Sequence, residues 1–129
     1  MSPSPLTVRE PLVPYLASAE PNVLAQLLAD KRSPNTKRAY AKDLRDFFRY
    51  LAGVEEPTAE EVRRFLSLDR FQALSVVLGY KAHLRDERGL AEATVNRRLA
   101  AIKSLVRLGN QLGQCSWTLS EVKGDKVVR

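Results

Sequence analysis

Histidine and cysteine are almost missing from this chain, with one of each in 129 residues, His83 and Cys115. That scarcity rules out a zinc site of the usual Cys/His kind and an intramolecular disulfide, and a single thiol suits a reducing cytoplasm. Cys115 has no second histidine near it in sequence, so pairing with His83 through the fold is the one activated-thiol arrangement the composition allows. His83 sits in Lys81-Ala82-His83-Leu84 on a helical pattern, where a structural role is the simpler reading. No apolar run approaches the roughly 18 residues of a membrane span, and no basic start with an apolar middle marks a signal peptide. There is no Gly-rich phosphate loop, no GxSxG and no HExxH, so no cofactor is expected and the chain is expected to bind rather than catalyse. Acidic residues are also in deficit. Against 21 Lys and Arg stand 15 Asp and Glu, a net charge of +6. With a pI near 9.8, this favours a polyanionic partner such as nucleic acid.

What is present is one strongly marked stretch, Ser33 to Gly53. Ser33 suits the N-cap, Pro34 the first helical position and Gly53 the left-handed position after the end. Steps of about 100° per residue place Tyr40, Leu44, Phe47, Phe48 and Leu51 in one apolar sector. Arg38, Lys42, Arg45 and Arg49 fall on the opposite side, with Lys31, Arg32 and Lys37 at the start of the helix. Only Asp43 and Asp46 offset these cations, and neither lies in the row. Such a row is either a solvated face or a surface for an anion.

Residues 1–20 carry four prolines and no periodicity, which predicts an extended arm with a fixed stretch around Leu12 to Leu16. Val23, Leu24, Leu27 and Leu28 predict a short amphipathic helix from Pro21 to about Asp30. Thr58 with Glu61 forms a capping box for a helix through Val62, Phe65 and Leu66. The pattern pauses near Asp69. A longer helix then carries Phe71, Leu74, Val77, Leu78, Tyr80 and Leu84 up to Arg88-Gly89. In this middle third, residues 54–90, the arginines stand among seven carboxylates and read as paired or solvated. The last strong element runs from Ala91 to about Gly113. Val95, Leu99, Ile102, Val106 and Gly109 share its inward face, extended by Leu105 and Leu112. Asn96, Arg97, Ala100, Lys103, Ser104 and Arg107 lie outward, and no carboxylate occurs from Thr94 to Arg107. Two helices are therefore expected to carry uncompensated cationic faces, although repulsion along a helix face is mildly destabilising. Residues 114–129 read as a linker with Trp117 and Leu119 as anchors and a basic tail, expected to continue into another domain. Four to five helices without a strand pattern give an all-α fold, a compact orthogonal bundle spanning residues 21–113.

The opening Ser-Pro-x-Thr-x-x-x-Tyr at Ser33–Tyr40, the capped TAEEVRRFL, and Ala-Thr-Val-Asn-Arg-Arg-Leu at Ala93–Leu99, in that order, resemble the N-terminal core-binding (SAM-like) domain of the tyrosine recombinase, or phage integrase, family. The resemblance covers about 21–113. It implies a helical bundle that grips one side of a recombination half-site while a separate C-terminal catalytic domain holds the other, with a homotetramer assembling on DNA. By position, Thr36, Lys37, Arg38, Lys42, Arg45 and Arg49 belong to one DNA-contacting face, and Asn96, Arg97, Lys103, Ser104 and Arg107 to the other. The family's catalytic arginines, lysine, histidines and tyrosine would lie in the other domain: His83 is followed at the His-x-x-Arg spacing by Asp86, and Tyr15, Tyr40, Tyr50 and Tyr80 lie in arm or helix patterns. Two departures stand out. The Ser or Thr usual before the last helix is Ala91, and Leu68–Tyr80 is longer than in the plainest members.

The implied function is electrostatic clamping of double-stranded DNA with limited base reading, in the cytoplasm at the nucleoid. Two other readings compete. A helix-turn-helix regulator predicts a short helix, a tight turn and one recognition helix, which the loop Gly53–Pro57 and the interposed long helix fit poorly. A helical adaptor for an acidic protein predicts binding that nucleic acid does not compete away.

Overall fold

A computed structural model describes residues 22–119. The expected arm over 1–20 and the basic tail lie outside the described residues. The described residues form five α-helices, α1 (Val23–Asp30), α2 (Pro34–Ala52), α3 (Ala59–Leu66), α4 (Arg70–Ala82) and α5 (Glu92–Gln111). A π-helical turn, His83–Glu87, extends α4. Among the described residues there is no strand, so the fold is all-α as its patterns predict.

The helix boundaries follow from side-chain chemistry. Asn22 caps α1 by accepting from the Ala25 N–H at 2.9 Å. The Ser33 hydroxyl accepts from the N–H groups of Asn35 and Thr36, and Gly53, at φ 70°, closes α2 with its N–H on the Arg49 carbonyl. Only glycine takes that backbone conformation without steric cost. The Thr58–Glu61 capping box forms in full. A second box, invisible as a mere pause in periodicity, joins Asp69 to Gln72 and starts α4. Ala91 gives α5 no side-chain cap.

The core is aromatic at its centre. Phe47 packs edge-on against Phe48, Phe65 and Tyr80, with ring centroids 5.1–5.2 Å apart, a favoured geometry for aromatic pairs. Leu44, Phe47 and Phe48 of α2 are fully buried, as are Val62, Phe65 and Leu66 of α3. From α5 come Val95, Leu99, Ile102, Leu105 and Val106. Gly109 lets α5 approach α3, since a Cβ there would stand 3.0 Å from Leu66 Cδ1. Trp117, Cys115 and Leu119 close the bundle's end.

Three expected core residues are not in the core. Phe71 is 77% exposed and Leu78 46%, because α4 turns the stripe Ala73, Val77 and Tyr80 inward instead. Leu112 follows the end of α5 as its C-cap and stays 39% exposed. Tyr40 and Leu51 only border the core.

Candidate nucleic-acid interface

Helix α2 and helix α5 pack side by side, and the expected binding residues are distributed around both. On α2 the spacing of Arg38, Lys42, Arg45 and Arg49 makes one stripe along the outer surface. Arg38 bonds the Asn35 side chain, and Lys37 and Lys42 have no ion-pair partner among the described residues. Lys31 Nζ sits 4.5 Å over the Tyr40 ring.

The expectation that this row is uncompensated is corrected at its far end. Arg45 Nε lies 3.1 Å from Glu56, and Arg49 Nη2 lies 3.6 Å from Glu55. The acidic loop after Gly53 folds back along the helix, which a reading by helix alone misses. Both glutamates are largely exposed, and exposed pairs contribute only about 0–1 kcal/mol. They are cheap to exchange for a stronger anion.

The α5 face is also offset, and more firmly. Arg97 donates from Nε and Nη2 to Asp43 at 3.1 and 3.0 Å. Arg98, expected on neither face, is buried, with Nη1 2.6 Å from Asp46 and Nε 3.8 Å from Asp43. Arg88 reaches the same Asp46 at 2.9 Å, and the Tyr80 hydroxyl donates to it at 2.6 Å. Two carboxylates of α2 thus tie down two arginines of α5 and one from the turn before it. Burial alone would raise the Asp46 pKa. The hydrogen bonds from Tyr80 and Arg88 and the charge of Arg98 outweigh it and hold the carboxyl below its usual range. Burial, then the bond to Asp46, keeps the Tyr80 phenol protonated well beyond its ordinary range.

A sequence signal for this network existed. Asp43 lies one turn from Phe47, and Arg98 lies three residues before Ala101 and seven before Leu105. An acid on one buried stripe and a base on another, in adjacent helices, amount to a pairing prediction, because a buried charge needs a partner.

The expected site residues divide between hollows. Thr36 and Arg97 face each other across a groove of about 290 Å³ between α2 and α5, lined also by Asn35, Ala39, Asp43 and Ala100. Ser104 and Arg107 line a separate hollow of about 380 Å³ between α5 and α1, beside Gln26, Asp30 and Lys31. Lys103 and Arg107 border a third with Thr118 and Leu119. Arg45 lies on the far side of α2, in a hollow shared with α1 and Pro57. Asn96 and Lys103 are half-buried on α5. No group of three His, Cys, Asp or Glu among the described residues could hold a metal ion. No helix among them is long and apolar enough to cross a membrane. His83 stacks at 5.0 Å on Tyr50 and bonds Glu87. Burial raises the Cys115 thiol pKa.

The model of the phage integrase N-terminal SAM-like domain matches residues 24–109. A tyrosine recombinase of Synechococcus elongatus is 56% identical over 106 residues, which cover 82% of this chain and 32% of the relative. A tyrosine recombinase of Synechocystis is 52% identical over 112 residues, covering 87% of this chain and 35% of the relative. The chain therefore spans about a third of the length of the curated relatives it matches. No solved structure matches.

Proposed function

This chain belongs to the phage integrase N-terminal SAM-like domain family, and on that premise we propose that it is the DNA-gripping domain of a tyrosine recombinase. The observation that carries the reading is that α2 and α5 pack side by side, each with cations on its outer surface, and that the groove between them brings Thr36 and Arg97 together. In this reading α5 and the first half of α2 approach the major groove of a recombination half-site. Lys37, Arg38, Lys42, Lys103 and Arg107 answer phosphates, while Thr36, Asn96 and Ser104 supply hydrogen bonds. Arg45 and Arg49 join the grip when phosphate displaces Glu56 and Glu55.

Phosphate contacts position the domain and base contacts specify its site. Each neutralised phosphate releases counterions, so about six contacts give a log–log salt slope near −5. Supporting the reading, the relatives at 52–56% identity are named as tyrosine recombinases. The cleavage chemistry is then work for a C-terminal catalytic domain, with the present domain helping to place the scissile phosphate and to hold a tetramer on DNA. Such a protein would act in the cytoplasm, at the nucleoid.

The test is the affinity of the 129-residue chain for a random-sequence duplex, measured by fluorescence anisotropy over a range of salt. A slope near −5 supports the reading. Affinity independent of salt, or no binding at low salt, overturns it.

A further inference from the structure

The groove between α2 and α5 contains an arginine whose charge is already answered. We infer that Arg97 reads a guanine base edge, held in register by Asp43, and is not a phosphate contact; this rests on the DNA-binding reading above. Asp43 takes the Nε and Nη2 donors of the guanidinium. What remains is the end of the planar fork, with Nη1 and the outer N–H of Nη2 unpartnered among the described residues. Two parallel donors at that edge match the O6 and N7 acceptors that guanine presents in the major groove.

Three observations favour a base over a phosphate. Charge comes first: the Asp43 side chain is only 3% exposed, so its negative charge is fixed beside Arg97 and poorly screened, while the surplus positive charge of the cluster lies with Arg98 and Arg88 around Asp46. A neutralised arginine adds little to phosphate attraction, which depends on net charge, yet keeps its hydrogen-bond geometry. Order comes second. The Arg97 side chain stays 53% exposed while held at two points, so the entropy of fixing it is spent before DNA arrives. Access comes third. Ala39 and Ala100 flank Arg97 in the groove, and neither has a side chain long enough to hold a base edge away. Lys42, by contrast, has no fixed partner among the described residues and suits a phosphate.

The experiment selects bound sequences from short duplexes with a randomised centre, using the 129-residue chain, and then measures the salt slope on the best duplex. The wild-type chain is expected to enrich guanine at one position, preferring it by about five- to 150-fold over other bases. Arg97→Lys keeps the charge but loses the two-donor edge, so this preference should vanish with the salt slope unchanged. The charge-balanced double variant Asp43→Asn with Arg97→Gln should do the same, provided circular dichroism shows it folded. A retained guanine preference in Arg97→Lys overturns the inference. So does a double variant whose preferences are intact and whose slope falls by about one, the mark of a lost phosphate contact. A wild-type chain that binds without any base preference overturns it too, while leaving the DNA-binding reading in place. Failure of the wild type to bind any duplex overturns that reading itself.

Discussion

Trp117 donates its indole N–H to the carbonyl of Leu68 at 2.6 Å, which fastens the chain beyond the last helix to the turn after α3. Its ring stands edge-on to Phe65 at 5.8 Å. Asn110 supports the same segment by donating to the Cys115 carbonyl at 2.9 Å. Trp117→Ala should therefore destabilise the bundle by about 3–5 kcal/mol, the usual cost of emptying a large aromatic site. Urea unfolding checks this, and a loss below about 1 kcal/mol would show that the segment is peripheral to the core.

Asp46 makes the fold acid-sensitive in a defined direction. Its folded-state pKa lies below the ordinary value of 3.8, so its contribution is complete above that value and is lost as pH falls through the lower, folded-state one. Asp46→Asn should cost about 3 kcal/mol at neutral pH because buried Arg98 loses its close partner and keeps only Asp43, at 3.8 Å. The variant should also lose less stability than the wild type on going from pH 5 to the acid limit of about pH 2. Thermal melts across that range decide it. Parallel curves for the two proteins would remove Asp46 as the cause.

Ala91 stands at the N-cap of α5 in an extended conformation, with no side-chain hydrogen bond. Ala91→Ser should supply one and stabilise the domain by about 1 kcal/mol. Unchanged stability on denaturation would mean that the first turn of α5 is already satisfied by water.

The two cationic helices should differ from the middle third in their effect on DNA binding. Lys42→Gln or Lys103→Gln should each lower the salt slope by about one. Arg64→Gln should leave it unchanged, since Arg64 lies on α3 beside the C-terminal end of α2, away from the groove between α2 and α5. Equal effects at all three positions would point to diffuse net charge and not to an oriented surface.

Much of the fold was legible because local chemistry and tertiary packing agree. Ser33, Gly53 and Thr58 mark helix ends by their own hydrogen bonds or backbone freedom, and those ends stand where they were expected. Phe71 and Leu78 misled because apolar side chains on a 13-residue helix do not say which stripe faces inward. Small Ala73 packs there instead. The candidate surface was readable as two rows of cations. Its electrostatics were not, because Asp43 and Arg97 are 54 positions apart and Glu55 and Glu56 meet α2 only after the chain reverses at Gly53. Pairing across helices is a property of the packed bundle, and the helical wheel shows it only when both buried stripes are read together.

The most direct test of the central claim is an NMR titration of the isotope-labelled 129-residue chain with a random duplex at two salt concentrations. The account predicts salt-sensitive shifts clustered on residues 36–49 of α2 and 96–107 of α5, with α3 and α4 unaffected. Shifts confined to other helices, or none at low salt, would contradict it and put a protein-binding adaptor in its place.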